Sequence, residues 1–353
     1  MAYTNIDDPS AYFQAKTYTG NGSNGYAITN DGNSDLQPDL WWVKNRDKAY
    51  DHNLYDSTRG TSLRLVSNGT QAEATATDRI ASFDTNGFTL NGSVISNENN
   101  NPHVAWQWKA NGGTTSSNTD GTLTGGATVQ ANTDAGFSII TYTGTSQTNP
   151  TVGHGLNQAP ELVIVKNRDL ARNWAVGSTA IGWTKYLDLD TTDAEATSSN
   201  YWGNQDPTST TVGLGGITNT AGNTYDYVMY AFHSVQGYSK FGKYRGNGVG
   251  TGDGPFVYLG FKPAFLLLKN ITNANNWRIL DNKRLGYNPN NYRLSANATS
   301  SESTTEIWAD LLSNGFKLRT NEGSVNAANT DYIYMAFAEN PFTTSTGIPT
   351  TAR

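Results

Sequence analysis

The 353-residue chain has no cysteine, which excludes disulfides, thiolate chemistry and Cys-ligated zinc together. Charge is also scarce. Asp, Glu, Lys and Arg make up 15%, against about 25% in ordinary globular domains. The 24 basic residues are scattered and outnumbered by 30 acidic ones, so nucleic acid, which needs clustered Lys and Arg, is not expected as a partner. No run approaches the roughly 18 apolar residues of a membrane helix, and membrane insertion is not expected. The opening stretch, from Met1 through Asp7-Asp8-Pro9, has acids and Pro where a signal peptide would have a basic end and an apolar run. Ordinary secretion is therefore not expected either.

Polarity comes instead from uncharged Asn, Thr, Ser and Gly, and it is combined with 11% aromatic residues. Disordered chains show the opposite balance, with high charge and few aromatics. This composition describes a folded chain with enough Trp, Tyr and Phe for sizeable cores.

Three landmarks recur in one order. The first is an aromatic run entering a Gly turn, at Tyr18-Thr19-Gly20, Tyr142-Thr143-Gly144 and Tyr244-Arg245-Gly246. The second is a Pro followed by an apolar run ending in Lys-Asn: Pro38 to Lys44-Asn45, Pro160 to Lys166-Asn167, and Pro263 to Lys269-Asn270. The third reads His103 to Trp108, Tyr227 to Phe232 and Tyr332 to Phe337. The first-landmark tyrosines lie 124 and 102 positions apart, and the excess falls on a Gly/Thr/Ser/Asn stretch after the first copy. The organisation expected is an N-terminal arm 1–9, repeats at 10–111, 134–237 and 238–342, an insertion or linker at 112–133, and a tail 343–353. That linker suggests a looser joint after repeat one.

The landmark runs are short, β-branched and aromatic, and bounded by Gly, Pro, Asn or Asp. Leu162 to Val165 and Phe265 to Leu268 are continuous apolar runs, as in strands buried on both faces. The fold class expected is all-β: three tandem repeats of about 100 residues, each a β-sandwich or jelly-roll-like unit. Helix is expected only in scraps such as Thr304 to Leu312.

Candidate chemistry is sparse. Gly20-Asn-Gly22-Ser-Asn-Gly25 matches the spacing of a dinucleotide fingerprint, but no helix follows it, so it reads as a tight turn. His52, His103, His154 and His233 show no metal-ligand spacing, and neither a metal nor a cofactor is expected. His154, between two glycines, is the histidine most able to face a ligand. Asp188 and Asp190 could share one face of an alternating strand and bind a hard cation. No nucleophile elbow appears and no acid recurs at equivalent positions, so an enzyme is not expected.

The Lys-Asn-Arg-Asp endings, which include Arg168 and Asp169, read as polar clamps or, more plainly, as a strand whose Lys snorkels outward before a turn. Trp174 and Trp277 sit at matching positions past the second landmark, while unit one has His52 there. They read as core residues under a turn or as exposed aromatic platforms. Candidate ligand-binding residues are therefore Trp174, Trp277, His154, Arg168 and Asp169.

Val-Ala-Trp-Gln-Trp-Lys-Ala-Asn-Gly-Gly at 104–113, Thr-Val-Gly-His-Gly-Leu at 151–156 and Met-Ala-Phe-Ala-Glu-Asn-Pro-Phe at 335–342 resemble a family of repetitive proteins of marine tailed bacteriophages. That resemblance implies a non-enzymatic virion structural protein, made in the host cytoplasm and released by lysis. It would be a tail-fibre or receptor-binding module on host-cell-surface glycan, or else a capsid decoration or head-fibre protein. A bacterial carbohydrate-binding protein is the remaining reading. The partners expected are other virion proteins and further copies of the chain, in a homo-oligomer such as a trimer.

Overall fold

The computed structural model describes residues 2–250 and 252–350. Met1 of the expected arm and residues 351–353 of the expected tail lie outside the described residues. The chain is all-β, with antiparallel pairing throughout the described sheets.

Each unit is built on one inner sheet in which the first, third and second landmarks lie side by side. In unit one the order is Phe13–Thr19, Pro102–Trp108, Leu40–Asn45, Asn53–Asp56, Gly60–Leu65 and Ala74–Thr75. Phe137–Thr143, Asp226–Phe232, Leu162–Asn167, Ala175–Ser178 and Lys185–Asp188 follow the same order in unit two. In unit three it is Ser239–Arg245, Asp331–Pro341, Phe261–Asn270, Arg278–Asp281 and Leu294–Ser295. A small outer layer covers each inner sheet: Tyr26–Thr29 with Gly87–Leu90 and Ile80–Asp84, Thr151–Gly153 with Thr211–Gly213, and Phe256–Tyr258 with Gly315–Leu318 and Ala309–Leu312.

Side chains alternate between the faces of a strand, and here both faces are buried. Leu40 and Trp42, Leu162 and Ile164, and Phe265 and Leu267 point into one core common to all three units. Their neighbours point the other way, into a private core beneath each outer layer: Trp41 and Val43, Val163 and Val165, Leu266 and Leu268. The third landmarks divide in the same manner, and their last aromatics converge. The Phe337 ring lies 5.7 Å from that of Trp108 and 6.0 Å from that of Phe232. The units are therefore sandwiches joined through their inner sheets into one body. A cavity of about 10 Å³ is all that remains between Trp42, Trp174 and Met335.

The landmark residues have local reasons. Tyr18, Tyr142 and Tyr244 stack on the cross-strand ring at His103, Tyr227 and Tyr332, with centroids 5.2, 5.2 and 5.0 Å apart. The Oδ1 of Asn45, Asn167 and Asn270 each accepts two backbone N–H groups of the following turn. Lys44, Lys166 and Lys269 are fully buried rather than snorkelling. Their ammonium groups donate to loop carbonyls, and those of Lys166 and Lys269 cross the seam to Thr70 at 2.8 Å and Thr192 at 2.9 Å. Burial lowers each lysine to about 8.

Three seams close the ring, and each begins with the same backbone bond. The N–H of Glu73, Glu302 and Glu195 donates to the carbonyl of Arg168, Arg46 and Ile271, at 2.7, 2.7 and 3.0 Å. An acid thus does recur at equivalent positions, hidden in the sequence by loops of unequal length. At the first seam Arg168 meets Glu73 through two bonds, of 2.9 and 2.8 Å, and Glu73 accepts from Arg59 at 2.7 Å. Arg59 in turn meets Asp56 at 2.6 Å, and Asp56 accepts the Tyr230 hydroxyl at 2.8 Å. The second seam repeats the chain as Arg46, Glu302, Arg284 and Asp281, ending on the Trp106 indole N–H. Burial works against the charges of Arg59 and Arg284, yet their carboxylate partners hold both above the ordinary arginine value. The third seam keeps the acid, Glu195, which pairs with Lys185 of its own unit, and fills the other four places with Ser178, Ile181, Ile271 and Met335, the last three within the common core.

Two further expectations are corrected. The segment 112–133 is not a loose joint: Ser116–Asn118 and Ala127–Asn132 extend the inner sheet of unit two. Asp39 of unit one gathers the N–H groups of Ala110, Gly112 and Gly113 at 2.7, 2.9 and 3.0 Å. Thr304 to Leu312 is not helical, because Ala309 and Leu311 are buried alternately and make the strand Ala309–Leu312. The described α-helical turns are instead Val94–Asn97, Ser199–Trp202 and Gly323–Asn326, one per unit.

Arg59→Met leaves the Asp56 and Glu73 carboxylates without their shared partner, so it should cost about 3–5 kcal/mol in denaturant unfolding. A loss of about 0–1 kcal/mol, as for a surface pair, would contradict the buried chain described.

Candidate functional site

Trp174 and Trp277 are 0% and 2% exposed, so neither is an aromatic platform. Each belongs to a seam. The Trp174 indole N–H donates to the Val66 carbonyl of unit one at 2.8 Å, and that of Trp277 to the Asp188 carbonyl of unit two at 3.0 Å. Lys166 and Lys269 stand over these rings at 5.9 and 5.8 Å. His52 takes the matching place in unit one, buried and stacked on Trp106. Its Nδ1 accepts the Trp42 indole N–H at 2.9 Å.

His154 is buried and faces no ligand space. Its Nδ1 accepts the Leu156 N–H at 3.1 Å, and Nε2 lies 3.3 Å from the Thr208 carbonyl. Arg168 is committed to Glu73. Asp169, one residue on, is exposed and accepts the Asp226 N–H at 2.7 Å. Strand and turn thus part these two side chains, and no clamp forms between them.

Asp188 ends its strand and Asp190 lies beyond it. Asn173 donates to Asp188 and the Trp174 N–H to Asp190, at 3.0 and 2.8 Å. Burial, with the neighbouring acids, pushes Asp188 up to about 6. Among the described residues no group of three or more His, Asp or Glu could hold a metal ion.

What the interior leaves free is a set of open clefts. One of about 390 Å³ lies where units two and three meet the N-terminal arm. Glu161 and Ser234 come from the unit-two side, Lys240 and Tyr258 from unit three, and Tyr3 from the arm. Tyr258 is 51% exposed, and Phe256 beside it on the same strand face is 46% exposed. The Tyr3 hydroxyl donates to the Gly260 carbonyl at 2.7 Å and lies 3.4 Å from that of Tyr258. Lys240 donates to the Tyr258 carbonyl at 2.9 Å, with its ammonium 5.4 Å from the ring centre. Glu161 holds the Ser234 N–H at 2.6 Å, and the exposed Gln236 lies alongside. Sequence reasoning missed this site. Its one signal is Phe256-Val257-Tyr258, which alternates with the aromatics outward and Val257 inward.

Two outcomes are expected from the buried residues. Trp277→Ala should cost about 3–5 kcal/mol, as for a core tryptophan, and unchanged stability in thermal unfolding would contradict the seam role. Burial lowers both His103 and His154 to about 4 from an ordinary 6.5. The unfolded chain therefore takes up protons at these rings from pH 6.5 downward while the native chain waits until about 4, so acid favours unfolding across that window. Asp188 opposes this, because its raised value makes the native chain the earlier proton acceptor. His103→Tyr, which copies Tyr227 and Tyr332, should lessen the fall in Tm between pH 6.5 and 4. An identical pH profile in the variant would show that His103 does not contribute.

Comparison with curated proteins and with solved structures finds no match. A family model described as Domain of unknown function (DUF7483) matches residues 8–341, and the chain belongs to that family.

Proposed function

We propose that the protein is a non-enzymatic structural protein of a bacteriophage virion surface, acting as a tail-fibre or receptor-binding module that contacts host glycan. The observation that carries this reading is where the reactive side chains are spent. Lys44, Lys166, Lys269, Arg59, Arg284 and the four acids that meet the two arginines, Asp56, Glu73, Asp281 and Glu302, all hold sheets, turns and seams together. The histidines with the largest shifts are buried and neutral at pH 7. What faces solvent is polar surface in which scattered charges, mostly acids, lie among Asn, Thr, Ser and Gly, with a cleft edged by aromatics, which suits contact rather than bond-breaking.

One observation favours capsid decoration as a second reading. Arm and tail are fastened together, with Asp7 accepting the N–H and hydroxyl of Ser345 at 2.6 and 2.5 Å. Both ends of the described chain thus meet at one place on a closed body, which leaves the remaining surface to grip a lattice or point outward.

Quantitative peptide counting in purified particles tests both readings. Tens of copies or fewer per particle is the result expected for a tail protein, hundreds would favour decoration, and absence from particles would overturn both. Incubation with host polysaccharide should release no reducing ends. Their appearance would contradict the non-enzymatic assignment.

A further inference from the structure

The outer layers are where the units differ. The buried outer-strand positions Ile28, Val152 and Val257 correspond, since each pairs with the same position of its partner strand, at Phe88, Val212 and Phe316. Flanking them are the exposed Ala27 and Thr29 in unit one, the half-buried Thr151 and the buried Gly153 in unit two, where Asn118 covers the face, and the exposed Phe256 and Tyr258 in unit three. The scaffold is the same, but only the third copy of this strand face carries aromatics. Burial does not explain them, because both rings are about half exposed.

The neighbours of Tyr258 are also unlike those of a structural aromatic. Its ring borders a cleft of about 390 Å³, within the range of small-ligand sites, about 300–1,000 Å³. The polar groups around it are of mixed kind: one ammonium at Lys240, one carboxylate at Glu161, and the carboxamide of Gln236. A lone cation among these is too little for a phosphate-rich ligand, and the open polar walls do not suit a lipid chain. An aromatic face beside both donors and acceptors matches a pyranose, which has an apolar C–H face and a rim of hydroxyls that donate and accept.

We propose that this cleft is a saccharide subsite, in which a neutral pyranose lays its C–H face on Tyr258 and hydrogen-bonds through its hydroxyls to Lys240, Glu161 and Gln236. The subsite deepens the adhesion reading and rests on it. It exists only in the assembled body, because its walls come from two units and the arm.

The test is a glycan array probed with the full chain, followed by titration calorimetry with the strongest neutral oligosaccharide. Tyr258→Thr, which copies Thr29 of unit one and keeps a β-branched residue in the strand, should weaken binding by roughly tenfold with Tm unchanged. Tyr258→Phe keeps the ring and should retain most of the affinity. Equal binding by wild type and Tyr258→Thr would overturn the subsite and leave glycan adhesion standing elsewhere on the surface. If the wild-type chain binds no glycan on the array, adhesion fails as well, while the virion assignment is still decided by particle copy number. If Tyr258→Thr lowers Tm, Gln236→Ala at the exposed rim replaces it, and undiminished binding by that variant would likewise overturn the subsite.

Discussion

Each inner sheet is apolar on both faces, and the rest of the structure depends on that constraint. A strand such as Leu162–Asn167 cannot present Val163 and Val165 to one layer without presenting Leu162 and Ile164 to another. The outer layer of a unit covers only one side. The exposed apolar area left on the other side would be untenable for an isolated unit, and the other two inner sheets cover it. The common core is therefore a condition for any of the units to be folded.

A closed ring of sheets leaves polar backbone and loops at its seams, and buried polar groups need partners. The chain meets this need in two ways. Two seams thread alternating Arg and acid side chains between units, with every charge facing an opposite one. The third keeps only the acid, Glu195, giving it Lys185 as its partner, and uses Ser178, Ile181, Ile271 and Met335 where the others have Asp, Arg, Arg and an aromatic donor. A half-kept network would strand a buried charge, which is worse than either complete solution. This explains why the absence of the Arg-Asp pair from unit three goes together with Ser178 and Ile181 in unit two, about ninety positions earlier in the chain. The trimmed seam still keeps the Glu195-to-Ile271 backbone bond and the Trp277 indole bond, so the geometry of closure is common to all three.

The all-β class and the strands were legible, because β-branched runs, turn residues and doubly apolar strands report local backbone preference directly. The recurrence of Lys-Asn was legible as well, but its meaning was not. Whether an ammonium points outward or cages loop carbonyls depends on a neighbouring unit nearly a hundred residues away, as with Lys166 and Thr70. Trp174 and Trp277 were opaque for the same reason, since a tryptophan beneath a neighbour's strand and one exposed on a turn share the same local sequence. The linker was misread because Gly, Ser and Thr mark flexibility only when nothing pairs with them, and there Asp39 and the edge of unit two do. The Tyr258 cleft joins three distant segments, and only the outward aromatics of its edge strand gave it a local trace.

The division between a uniform interior and an uneven exterior also orders the functional reading. Seams and landmarks explain what the copies share, and the exposed positions that differ remain for recognition. All of this depends on the three units being one cooperative body. Differential scanning calorimetry of the full chain, supported by urea unfolding followed through Trp fluorescence and far-UV circular dichroism, tests that most directly. The account predicts one transition, with coincident probes and a calorimetric enthalpy equal to the van't Hoff value. Two or three resolved transitions, with units melting independently, would contradict it.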